Sequence, residues 1–162
     1  MGVFSWEGIM SGRLLRIAVL YWVIAVAWGV YMGSTENFTD VPVHAHLNLL
    51  GWVSLALCGV IYAVLPRLAE TRLARLHFWL HNLSLPPLMV GVWLIVHSHS
   101  EIGGPIAGIS SIVMLLAIVA FAGNIWLGRL PDAPEARWRS RPERLFSFPV
   151  PPPARSAPYR HR

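Results

Sequence analysis

The sequence predicts an all-α membrane protein, an up-and-down bundle of four transmembrane helices with both termini cytoplasmic. Three observations predict it. Of 162 residues, 55% are hydrophobic and only 13% charged, with a mean hydropathy of +0.52, whereas an ordinary soluble domain carries about 25% charged residues. The charges cluster and leave four apolar runs, each near the roughly 20 residues that a helix needs to cross the hydrocarbon while satisfying its own backbone. The 13 basic residues are all arginine, and they fall on alternate loops.

The first run, 14–33, has Arg13 and Arg16 at its start. It is longer than the roughly 7–15 residues of a signal-peptide core, so it is expected to remain as an uncleaved helix. The loop 34–43 holds Glu36 and Asp40 and no arginine. The second run, 44–66, opens with His44-Ala45-His46. At about 100° per residue, His44, Leu47, Asn48, Gly51, Leu55, Cys58, Gly59 and Tyr62 share one face. That face is small and polar and is expected to meet neighbouring helices, with Cys58 as a packing residue. The opposite stripe of His46, Leu49, Val53, Leu57 and Val60 is expected to face lipid. Helical phase therefore favours His44 as the inward histidine.

Arg67, Arg72 and Arg75 fill the next loop, before the third run at 76–97. His77 and His81 stand four apart on one face, with Asn82 beside them, a spacing that suits either a metal or plain hydrogen bonding. His77, among Arg75, Phe78 and Trp79, reads as an interfacial anchor. His81, a turn deeper, reads as an inward functional residue. Pro86 and Pro87 are expected to free carbonyls and kink the helix, which ends at His97-Ser98-His99. The fourth run, 103–128, carries Gly104, Gly108 and Ser111, read as a close-packing stripe, with Asn124 hydrogen-bonding across it. Trp22, Trp28, Tyr31, Trp79 and Trp126 read as interfacial anchors.

Arg129, Arg137, Arg139, Arg141 and Arg144 follow the fourth run. The positive-inside rule then places both termini in the cytoplasm and both His-x-His motifs outside. The chain divides into a four-helix domain, 1–130, and a Pro/Arg-rich segment, 131–162, whose composition predicts disorder and attraction to anionic headgroups. Nothing resembles a nucleic-acid recognition motif. Phosphate-binding loops, nucleophiles with a matched base and paired carboxylates are also missing, which leaves hydrolases and charged-pathway transporters without support. Neutral imidazoles, by contrast, suit transition metals. His44, His46, His97 and His99, with Met32 or Asp40 nearby, form a candidate copper or zinc site.

The string His46-Leu47-Asn48-Leu49-Leu50-Gly51-Trp52, followed by Tyr62 and Pro66, resembles the second transmembrane helix of heme-copper oxidase subunit I, the cytochrome c oxidase and nitric oxide reductase large-subunit superfamily. The chain looks like a short four-helix member. The resemblance implies a b-type heme in a bacterial cell (inner) membrane, with His46 as its axial ligand near the outer face; helical phase keeps His44 as the alternative. A low-spin heme needs a second axial ligand. His97 or His99 would supply it within one chain, and the second-helix histidine of another copy would supply it in a homodimer. The family's oxygen-reducing center uses histidines from later helices that have no counterpart here, so the chain resembles part of an oxidoreductase subunit without its catalytic core.

Three functions follow. The first is a subunit I-like heme protein for electron transfer or gas sensing, using His46, His44, His97, His99 and His81. The second is an outer-face copper or zinc protein serving oxidase metallation. The third is a cofactor-free assembly or structural partner of a respiratory oxidase or nitric oxide reductase.

Overall fold

The computed structural model describes residues 6–128, with side chains from residue 10 onward. The segment 131–162, expected to be disordered, and the arginines from Arg129 on lie outside the described residues. Four helices are long and apolar enough to cross a membrane, which makes the chain a multi-pass membrane protein. The first is Trp6–Thr35, the second Val41–Val64, the third Arg72–Val96 and the fourth Ser100–Leu127.

Local chemistry sets their ends. The first helix stops at Glu36, whose φ of 50° leaves the helical region, and the third stops at Ser98, with φ 67°. Pro42 lies in the first turn of the second helix, where its missing N–H costs nothing. That helix ends at Leu65, held extended before Pro66 (φ −118°, ψ 67°), and a short helical turn, Pro66–Ala69, follows. Thr71 caps the third helix by accepting the Ala74 N–H at 3.0 Å.

The interior mixes alanines with a few large side chains such as Leu14, Leu55, Tyr62 and Leu85, while many large apolar side chains face outward. Ala18, Ala25, Ala74, Ala107, Ala117 and Ala120 are buried, while Leu20, Val23, Val30, Leu57, Ile109 and Val119 are exposed. This is the pattern of helices whose outer surface is solvated by lipid and whose contacts depend on close backbone approach. The first helix packs along the second, where Trp22 stacks on Trp52 at 4.6 Å and Tyr21 lies against Gly51. The third and fourth make the most extensive contact.

The second helix is not α-helical throughout. From Leu47 to Ser54 its turns widen so that hydrogen bonds reach five residues back, and the Ser54 hydroxyl follows, donating to the Leu49 carbonyl at 2.7 Å. Val43, Leu47, Gly51 and Leu55 are all buried at a strict spacing of four. An ordinary helix would rotate this row off the contact by about 40° per step; the wider turn keeps it aligned. Leu49, Val53, Leu57 and Val60 are exposed, in agreement with the phase read from the sequence.

Three expectations need correction. The close-packing stripe of the fourth helix is Gly103, Ala107 and Ser110, one position off the predicted Gly104, Gly108 and Ser111. Gly104 and Gly108 have nothing near them, whereas a methyl on Gly91 of the third helix would meet the Ala107 backbone nitrogen at 2.6 Å. Asn124 reaches the turn between the second and third helices rather than the stripe, donating to the Leu68 carbonyl at 2.9 Å and accepting from the Thr71 hydroxyl at 2.7 Å. His77 is no interfacial anchor: it is 1% exposed, because the short turn tucks the start of the third helix beneath Tyr62 and Phe121.

Candidate functional site

The six histidines among the described residues form two groups. His44, His46, His97 and His99 gather around the loop 36–40, and His77 and His81 lie inside the bundle near the turn at 66–71.

In the first group the second helix presents His44 to the first helix. Its Nδ1 lies 2.9 Å from the Ala25 carbonyl, so the N–H is on Nδ1 and donates there. Its ring rests on Gly29, where a methyl would come within 2.8 Å of Cε1. Its other nitrogen, Nε2, accepts from the Asn48 amide at 3.3 Å, and the same amide donates to the His44 carbonyl at 3.0 Å. Both ring nitrogens are thus engaged, Nδ1 fastening the second helix to the first and Nε2 bonding within the second helix.

His46 faces the other way. Its Nδ1–H donates to the Pro42 carbonyl of its own helix at 2.6 Å, and Nε2 is not engaged by that bond. The half-buried ring shares its side of the helix with exposed Leu49, Val53 and Leu57. His97, at the end of the third helix, has the same device: Nδ1–H to the Trp93 carbonyl at 3.0 Å, with its ring stacked on Trp93 at 4.4 Å. It also lies 3.6 Å from Asp40 Oδ1. Asp40 is 9% exposed and accepts from the Trp28 indole N–H at 3.2 Å. His99 is exposed and precedes the fourth helix.

The four imidazoles are therefore brought to one region without converging. Among the described residues no group of three His, Cys, Asp or Glu side chains is placed to hold a metal ion.

The second group was only half legible. His81 is 1% exposed, like His77. Its Nε2–H donates to the Leu50 carbonyl, in the widened stretch of the second helix, at 3.0 Å. Its Nδ1 is buried without a hydrogen-bond partner. The two rings meet edge to face at 5.5 Å, and Tyr62 Oη lies 3.4 Å from His77 Nδ1. Tyr62 and the Leu50 carbonyl are the members that sequence reasoning missed. A signal for Tyr62 did exist: it stands about as far before the turn at 66–71 as His77 stands after it, so a tight return sets the two at similar depth.

No family model matches the chain, and no solved structure matches it.

Proposed function

We propose that the chain is a small heme-binding protein of a bacterial inner membrane, with an up-and-down bundle, cytoplasmic termini and an electron-transfer role. One observation carries the reading: His46 combines an Nδ1–H held by the Pro42 carbonyl, an Nε2 not engaged by that bond and an apolar outward wall of Leu49, Val53 and Leu57. A metal-binding histidine is ordinarily fixed in this way by a hydrogen bond from its other nitrogen, and a porphyrin needs apolar surface beside its ligand.

His44 fits a heme less well, because both of its nitrogens have partners and its ring is wedged on Gly29. The outward position of His46 favors a second axial ligand from the same histidine of a second copy, with the heme between them. Bound there, a heme supplies one-electron redox chemistry at its iron. The chain contributes the imidazole, its orientation and the apolar cover.

The orientation rests on exposed Arg67, Arg72 and Arg75, in the turn after the second helix and the first turn of the third, against Glu36, Asp40 and Glu101 at the opposite, arginine-free helix ends. A copper or zinc site built from the same four histidines has less support, since no three of them converge. The test is heme retention in two variants: His46→Ala is expected to purify without heme and His44→Ala with it. Heme retained in His46→Ala and lost in His44→Ala would overturn the assignment.

A further inference from the structure

We propose that His77 and His81 form a copper(I) site inside the bundle, separate from the histidines around the loop 36–40. The inference does not rest on the heme reading. Sixteen residues separate His81 from His97, about 24 Å along a helix at 1.5 Å per residue, so the two groups cannot share an ion.

The argument starts from the backbone. Helical side chains lean toward the N-terminus, so the ring of His81 lies over the turn that carries His77. A histidine pair four apart on a helix is a chelating arrangement for transition metals. The Leu50 carbonyl accepts from His81 Nε2 at 3.0 Å, and a carbonyl can only accept. The N–H is therefore on Nε2, and Nδ1 carries a lone pair.

That lone pair is buried and has no partner. Leaving a polar atom so placed is unfavourable, and such an atom in a membrane helix points to a binding function. The Leu50 carbonyl also supplies the outer hydrogen bond that metal-bound histidines ordinarily make.

His77 completes the pair. Its Nδ1 lies 3.4 Å from Tyr62 Oη; with Nδ1–H donating to the phenol oxygen, Nε2 becomes the second donor. The two ring centers stand 5.5 Å apart, inside the roughly 6.4 Å that two imidazoles on one ion can span with metal–nitrogen bonds of about 2.0 Å.

The donor set selects the ion. The imidazoles and the phenol are neutral, and no third His, Cys, Asp or Glu joins them among the described residues. The ion's charge stays uncompensated in a medium where charge is costly. Imidazole suits copper, and the monovalent state halves the charge that a divalent ion would bury.

The experiment loads the detergent-purified full chain with copper(I) under anaerobic conditions and challenges it with a colored copper(I) chelator. The wild type is expected to retain one copper per chain. His81→Gln and His77→Gln are expected to lose it, and the triple variant His46→Gln, His97→Gln, His99→Gln to keep it. X-ray absorption of the loaded wild type is expected to show two-imidazole scattering. Combined with retention in the triple variant, this carries the assignment even if His81→Gln fails to fold. No copper in the wild type, retention unchanged in a folded His81→Gln, or loss in the triple variant would each overturn the proposal.

Discussion

Replacing Gly91 by alanine tests the register of the contact between the third and fourth helices. A methyl on Gly91 would lie 2.6 Å from the Ala107 backbone nitrogen, 2.9 Å from its Cα and 3.0 Å from its Cβ. Ordinary contact begins near 3.4 Å, so relief requires the helices to part by the difference, 0.8 Å, and the obstacle is backbone that cannot rotate away. A gap of about 0.5–1 Å forfeits a quarter to a half of each dispersion contact along the seam, and overpacking of this kind costs about 1–3 kcal/mol. Gly104→Ala is the control. That position is open, so only helix propensity acts, and alanine is expected to stabilize by about 0.5–1 kcal/mol. The assay is SDS-induced unfolding from mild detergent micelles, followed by tryptophan fluorescence. The midpoint is expected to fall for Gly91→Ala and to hold or rise for Gly104→Ala. Equal loss in both, or a neutral Gly91→Ala, would refute the packing argument.

Other substitutions probe single contacts in the same unfolding assay. His44→Ala removes the bond to Ala25 and the partner of Asn48, and is expected to cost about 1–2 kcal/mol. His46→Ala, whose ring bonds only within its own helix, is expected to stay within about 0.5 kcal/mol when both proteins are compared free of heme. Asn124→Ala removes the amide shared by the Leu68 carbonyl and the Thr71 hydroxyl; the hydroxyl can still donate to that carbonyl, 3.1 Å away, so the expected loss is about 0.5–1.5 kcal/mol. Trp28→Phe keeps the aromatic bulk but removes the indole donor to buried Asp40. Hydrogen bonds to charged groups are worth about 1.5–3 kcal/mol, so a neutral result would mean that Asp40 is satisfied by other means.

The spans were legible because charge and hydropathy alone delimit them. The inward face of the second helix was legible because its two sides differ so much in composition, from Gly51, Cys58 and Gly59 to Leu49, Val53 and Leu57. The fourth helix lacked that contrast. Its small residues come as neighbors, Gly103 with Gly104, Ala107 with Gly108 and Ser110 with Ser111, so two stripes 100° apart read alike. Only the partner surface at Gly91 separates them. His77 was misplaced because its depth was judged from adjacent arginines, while burial depends on what the turn at 66–71 folds over it. The widened turns at Leu47–Ser54 have no local signature among leucines, glycine and tryptophan, so the Leu50 carbonyl that fixes the His81 tautomer could not be foreseen. Tautomers themselves depend on partners distant in the chain, such as Ala25 for His44.

The central claim, that the chain binds heme through His46, is tested most directly by the visible spectrum of the detergent-purified protein, oxidized and dithionite-reduced, with heme quantified per chain. The account predicts a Soret band and sharp reduced alpha absorption at about half a heme per chain, the ratio for one heme held between two copies. A colorless protein from heme-replete cells would contradict it.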